Sequence, residues 1–526
     1  MKRNFRLFQL ILLLTLIFPL GCTKTTAPTA APEEEEEYVT IELDAPKPAA
    51  LADSGLETWP DDGAETEPET ASPPTPEPEP KAQPQPAAKP TYKAPKNVIL
   101  MIADGAGFGA FYSAADFQTG SPTGLFYQRA PWEMTSVATF HKKSFYDPER
   151  DWPDFKNYFV PFYQRETEFI PPDSASSGTT LNTGVKTRNG RIGMGPDDEK
   201  LTTLAEIFHQ DGRRTGAVTS FQIASATVAA VAGHDLERKN GQKLFAQLLL
   251  DGNLDVLIGA SHPEFDDDGK PRSPEFGKYG PSEELWGQIR SGSLPTGWLF
   301  IEKRADFQKF AALTPDVVRA GELPEHLIGI AQSANSFQCH RSAGAPFLTT
   351  TPTLPEASLA ALNLLAVDPK TGKRSKGFYV MIEGGAVDVA NDAHDLTRCV
   401  EEMADFNAAV EAVCAWVEKY SSWDETLLII TADHDNGAIY GPETGPDGVP
   451  TTPPLYRGKG QLPEMKYYSD DHTKQLVPLY ARGLGADRFR EFVVGTDERM
   501  GKFWLYDGRY IDNTSIFKVI RGISAQ

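Results

Sequence analysis

The chain has 526 residues, 40% of them hydrophobic, and a formal net charge of −22 at pH 7. That length suits one large α/β domain with insertions, or two to four ordinary domains. The acidic balance argues against nucleic acid as a specific partner, because phosphate backbones are held by Lys and Arg, and four cysteines are too few for a disulfide-built fold.

The first 22 residues read as an export signal. Lys2, Arg3 and Arg6 form a basic start, and Phe8 to Leu20 form an apolar run too short to span a bilayer. The run ends in Leu-Gly-Cys, which resembles a bacterial lipobox with Cys22 as the lipidated residue, although Pro19 stands where that pattern usually has Leu. Thr23 rather than Asp follows, as in lipoproteins sorted to the outer membrane. The expectation is an exported protein, anchored by lipid at Cys22 and facing the periplasm or the cell surface. Residues 23–95 carry 15 of the 42 prolines, and 16 acids against 5 bases. Such a segment cannot bury enough apolar surface to fold and reads as a disordered, semi-extended linker. A catalytic domain is expected over residues 96–526.

From Lys96 onward, apolar runs end in small or acidic residues: "NVILMIADG", "RRTGAVTS", "LDVLIGAS", "KGFYVMIEGG" and "TLLIITADHDNG". They read as buried strands. Amphipathic segments such as Leu201 to Gln210 and Leu396 to Lys419 alternate with them. The alternation predicts a doubly wound, mostly parallel α/β sheet flanked by helices, with ligands at the carboxyl ends of strands. Asp104, Glu383 and Asp433 stand at three of those ends. Cys399 and Cys414 lie in one expected helix about 22 Å apart and cannot pair within it. Cys339 could pair with either.

In "FIPPDSASSGTTLNTGVKT", Asp173 or Ser174 would cap a helix. A serine there could also serve as a nucleophile beside a helix terminus that favours phosphate. Asp433 and His434 form a carboxylate–imidazole pair suited to a metal, or else a polar turn. "EGGAVDVANDAHD" offers Glu383, Asp388, Asp392 and His394, and a helix from Asp388 would place Asp392 on the same face. His472 precedes another apolar strand. Acidic and histidine groups at successive strand ends, with a serine at a helix start, describe a site for two or three metals with a nucleophile.

The ordered motifs "ILMIADGAG", "PDSASSGTTLNTGVKT", "YVMIEGGAVD", "TADHDNG" and "DDHTKQLVPLYARG" resemble the alkaline phosphatase family over Lys96 to the C-terminus. The resemblance implies hydrolysis of small-molecule phosphate monoesters through a phosphoserine at Ser174. It implies one zinc on Asp104, Asp433 and His434, and a second on Asp388 and His472. It further implies magnesium on Asp104, Thr227 and Glu383, a phosphate clamp at Arg238 oriented by Asp173, and a possible homodimer. Two positions depart from the family. Asp392 stands where relatives have a histidine ligand, so either Asp392 ligates or a shifted turn brings in His394. Helical geometry favours Asp392, and the added carboxylate favours Mg, Mn or Ca at the site of Asp388, Asp392 and His472. Ser225 stands where relatives carry Asp or His beside the magnesium.

Two other readings compete. One is a phosphodiesterase of the same superfamily; a sulfatase lacks support, because "SASSGTT" has no Pro or Arg at the modification pattern. The other is a non-catalytic phosphate- or metal-binding lipoprotein. "FDDDGK" (265–270) reads as an acidic surface loop or a partial calcium loop. The aromatic, acidic insert from His141 to Phe169 is expected to shape the pocket rim.

Overall fold

The computed structural model describes residues 92–153, 155, 170–295 and 297–525. The signal segment, Cys22, nearly all of the linker, and residues 154 and 156–169 of the insert lie outside the described residues. Tyr92 is tied to the C-terminal segment: its N–H donates to the Gly522 carbonyl at 3.1 Å, and its hydroxyl to the Val519 carbonyl. No helix among the described residues is long and apolar enough to cross a membrane.

Among the described residues, fifteen strands form in chain order. The first eight are β1 (Asn97–Ala103), β2 (Glu133–Ala138), β3 (Arg214–Gln222), β4 (Val256–Ala260), β5 (Trp298–Ile301), β6 (His326–Ile330), β7 (Phe378–Gly384) and β8 (Thr426–Thr431). Four short strands follow: β9 (Asp435–Asn436), β10 (Ile439–Tyr440), β11 (Lys466–Tyr467) and β12 (His472–Thr473). The last are β13 (Val477–Gly483), β14 (Val493–Thr496) and β15 (Arg509–Asp512). One eleven-stranded sheet runs β14-β15-β2-β13-β8-β1-β7-β3-β4-β6-β5. From β8 to β5 every pairing is parallel. At the other side β13 pairs antiparallel with both β8 and β2. The expected doubly wound, mostly parallel sheet is the observed fold.

The reason lies in the side chains. β1, β4, β7 and β8 are buried along their whole length, which requires cover on both faces and so helical crossovers. The helix Leu396–Tyr420 lies on one such face, with Cys399, Met403, Phe406 and Val410 turned inward. Cys339, Cys399 and Cys414 are all buried free thiols, so no disulfide joins them.

Glu402 in that helix is a conspicuous exception to the apolar face. Burial pushes its carboxyl up to about 8, with Asp405 and Glu401 adding to the shift and Arg341 and Arg398 opposing it. Both guanidiniums instead contact Glu401, at 2.8 and 3.0 Å. A carboxyl whose folded pKa is raised stabilises the fold fully below its unfolded pKa, and that contribution is lost as pH rises toward the folded value. Each pH unit across the window from about 5 to 8 therefore costs up to about 1.4 kcal/mol. Glu402→Gln mimics the protonated form. Thermal or urea unfolding should show it more stable than the parent, with the gap widening from pH 5 to pH 8 and absent at pH 4.

Candidate active site

Four adjacent parallel strands, β8, β1, β7 and β3, deliver the site from their carboxyl ends. Asp433 follows β8, Asp104 follows β1, Glu383 is the last residue but one of β7, and Thr227 sits in the short helix after β3. Register aligns them: Ile102 pairs with both Glu383 and Thr431, and Thr219 with Glu383. Gly105, directly after Asp104, has φ +63°, and a Cβ there would collide with the Asp388 carboxylate. The turn thus needs glycine both for its left-handed backbone and for space.

Ser174 is the first residue of the helix Ser174–Thr183, and Asp173 is its N-cap, accepting the Ser176 N–H at 2.8 Å. Small residues let this helix approach the strand ends: the Ser177 hydroxyl donates to the Asp433 carbonyl at 2.5 Å. Ser174 Oγ lies 3.1 Å from His434 Nε2. Two ligand clusters meet here. Asp104, Asp433 and His434 form one, and Asp388, His434 and His472 the other, with donor atoms in each group within 4.8 Å of one another. His434 belongs to both, and its ring stacks on His472 with centroids 3.7 Å apart. His472 Nδ1 donates to the Pro172 carbonyl at 3.0 Å, which directs Nε2 toward Asp388 at 3.6 Å. Such an outer contact fixes tautomer and ring orientation in metal-binding histidines.

The donor set fits divalent cations. Asp104 Oδ1, Asp433 Oδ2 and both Glu383 oxygens are buried without a hydrogen-bond partner among the described residues. Burial, then the charges of Asp433, Asp388 and Glu383, push Asp104 far above the usual carboxylate range. Burial likewise raises Glu383 to about 7. Anionic oxygens crowded this way ionise together only beside positive charge. Asp388 behaves oppositely: burial pushes it up, but His472, then His434 and Asn436, outweigh that and hold it low.

The expected third-metal residues also meet, with the Thr227 hydroxyl 3.1 Å from Asp104 Oδ2. Ser225, the N-cap of Ala226–Ala232, makes no side-chain capping bond. Arg238 lies in the loop after that helix, with its side chain 12% exposed and Nη1 3.2 Å from Asp173 Oδ2. Burial raises the Asp173 carboxyl, but Arg238 and the N–H groups of Ser176 and Gly190 outweigh it and leave it lowered.

Two expected placements change. His394 is not brought into either cluster. The helix Ala386–Asp392 ends just before it, His394 adopts φ +51°, and its ring stacks on Tyr467 with Nε2 bonded to the Ser469 carbonyl at 3.0 Å. Asp392 does lie on the Asp388 face but sits outside the donor clusters. The Asn436 amide stands between them, donating to Asp388 Oδ1 at 2.7 Å and to Asp392 Oδ1 at 2.6 Å. Asn436 was visible in "TADHDNG", yet its role depends on β9 pairing with β12, where it faces His472.

In the 265–270 loop, Asp266, Asp267 and Asp268 each accept protein donors: the Lys270 N–H, the Asn335 side chain and the Ser342 hydroxyl, respectively. These bonds tie the acidic loop to its own backbone and to the 335–342 segment. The described part of the insert is anchored beside the site. Asp151 meets Lys474, two residues past His472, in a buried pair at 2.8 Å.

Fold and site together define a doubly wound α/β protein with a serine at a helix mouth beside two overlapping candidate metal clusters. The alkaline phosphatase family model matches residues 95–481, and the chain belongs to that family. It is 24% identical to alkaline phosphatase of Escherichia fergusonii, over 78% of this chain and 85% of that protein. It is 25% identical to streptomycin-6-phosphate phosphatase of Streptomyces griseus, over 75% and 87% of the two chains. A solved variant of the TAB5 alkaline phosphatase with magnesium bound in its M3 site aligns with TM-score 0.53 and 19% identity, covering 82% of this chain and 99% of that one. The relatives are phosphatases, and phosphate esters are the substrate class the family implies.

Proposed function

We propose that the chain hydrolyses phosphate monoesters through a phosphoserine at Ser174. The observation that carries this reading is Ser174 Oγ at 3.1 Å from His434, the residue shared by both candidate metal clusters. Ser174 Oγ gives up its proton and attacks phosphorus, an Oγ–P bond forms, the bond to the alcohol oxygen breaks, and the departing oxygen takes up a proton to leave as the alcohol. Water then attacks phosphoserine, the Oγ–P bond breaks, a proton from that water restores the Ser174 hydroxyl, and inorganic phosphate leaves. N–H groups of the Ser174 helix and the fork of Arg238 hold the phosphoryl oxygens. Asp173 orients Arg238, and the buried walls exclude bulk water.

Zinc on Asp104, Asp433 and His434, a second cation on Asp388 and His472, and magnesium on Asp104, Thr227 and Glu383 suit these donors. Bound there, the cations would neutralise charge on the attacking and leaving oxygens. Asp392, reached through Asn436, adds negative charge beside the second site and favours Mg, Mn or Ca there over zinc. Export, lipid anchoring at Cys22 to the outer membrane, the linker up to residue 95 and pairing as a homodimer complete the proposal.

The test is release of nitrophenol from 4-nitrophenyl phosphate by the purified protein, after chelation and separate re-addition of Zn, Mg, Mn and Ca. The phosphodiester bis(4-nitrophenyl) phosphate serves as comparator. Turnover of the diester alone would favour a diesterase, and no turnover with any metal would retire the enzymatic reading. Arg238→Lys keeps the charge but loses the bidentate fork, and should lower kcat/KM by about 10- to 100-fold. Steady-state kinetics with 4-nitrophenyl phosphate checks it.

A further inference from the structure

Asn189, in the loop after the Ser174 helix, makes three contacts to the nucleophile's own segment. Its Oδ1 accepts the Asp173 N–H at 3.1 Å and the Ser176 hydroxyl at 2.9 Å. Its Nδ2 donates to the Pro171 carbonyl at 2.9 Å. A backbone N–H can only donate and a carbonyl can only accept, so this chemistry fixes the amide orientation. The next residue continues the clamp. The Gly190 N–H donates to Asp173 Oδ2 at 2.9 Å, the same oxygen that meets Arg238. The Gly190 carbonyl accepts the Arg238 N–H at 2.8 Å. Gly190 has φ +80°, a left-handed turn that suits glycine and lets both its backbone groups face this cluster.

We propose that Asn189 is a positioning residue that fixes Ser174 relative to Arg238. It holds Pro171 and Asp173 on either side of Pro172, whose carbonyl carries His472. The two-residue Asn189–Gly190 turn thereby ties the nucleophile's cap, the phosphate clamp and one candidate metal ligand into one rigid unit. Nothing in the loop touches the reacting atoms; its effect runs through Asp173 and Arg238. This inference rests on the phosphoserine reading.

The test compares the full chain with Asn189→Ala, Arg238→Ala and the double variant. The readouts are kcat and KM on 4-nitrophenyl phosphate, calorimetric affinity for inorganic phosphate, bound metal per chain and melting temperature. Misplacement of positioned groups by about 1 Å costs about 100-fold in rate, so Asn189→Ala should lower kcat/KM by at least about 10-fold and weaken phosphate binding. Metal content should stay at the parent's value. In the Arg238→Ala background, removing Asn189 should cost less than about 3-fold, because coupled residues are non-additive. Asn189 is half-buried; if the Ala variant fails to fold, Asn189→Ser carries the same measurements. Full activity and phosphate affinity in the folded variant, or equal losses with and without Arg238, would overturn the inference. An inactive parent that still binds phosphate would retire the enzymatic reading and leave the clamp judged on phosphate affinity alone. A parent that binds no phosphate would overturn both.

Discussion

Ser174→Ala is expected to lower turnover of 4-nitrophenyl phosphate by at least about 10,000-fold, the scale of losing a nucleophile from a preorganised site. The substitution removes one oxygen from a buried helix start. It leaves the Asp173 cap intact, because the cap bond runs from the Asp173 carboxylate to the Ser176 N–H. Ala is also the better helix former. The variant should therefore fold with the parent's melting temperature and hold the same number of metal ions. Phosphate should still bind through Arg238, but no phosphorylated chain should appear in intact mass spectra after acid quench. Residual activity near the parent's level would sink the nucleophile assignment, and loss of bound metal would show that the hydroxyl helps to hold the cations.

His434→Ala should have the broadest effect on metal. His434 Nε2 stands 3.6 Å from Asp104 Oδ1 and 3.3 Å from Asp433 Oδ2, while its ring stacks on His472. It is the residue common to both clusters, so its loss should weaken binding at two sites together. Asp388→Ala should empty one. Calorimetric titrations with zinc and, separately, with manganese should show affinity for His434→Ala down by more than about 100-fold, beyond what loss of an outer contact causes. A variant that loses only one equivalent would assign His434 to a single cluster and leave the other complete without it. Removing an imidazole from among buried carboxylates also removes positive charge available on protonation. Asp104 and Glu383 are already pushed up by burial, so the apo variant should gain stability toward low pH, where they carry protons.

Much of this was legible in one dimension. Continuous apolar runs ending in Asp104, Glu383 and Asp433 specify buried parallel strands, because only such strands lack a polar face. In a parallel sheet their carboxyl ends share one edge. Asp-Ser followed by small residues specifies a capped helix start, and the cap is Asp173 with Ser174 in the first turn. These are local rules of periodicity, capping and size, and the ordered motifs carried the family with them.

Other features depend on contacts far apart in the chain. The spacing in "NDAHD" left Asp392 and His394 open, and the choice between them turned on where the helix stops. It ends before His394, whose ring is then held by Tyr467, 73 positions later. Asp392 and Asp388 share the Asn436 amide, which reaches them as Asn436 pairs with His472. Asn189 is an ordinary loop asparagine until the turn folds back on Asp173. Arg238 is a loop arginine 65 positions from Asp173 until the fold brings the two within 3.2 Å. The sequence by itself determined which strands and helices form and which residue types line the sheet's carboxyl edge, since propensity and periodicity act over a few residues. Only the tertiary structure decided which of those residues share an oxygen, a ring face or a carboxylate. A hydrogen bond is lost over fractions of an ångström, and that precision comes from packing between segments tens to hundreds of positions apart.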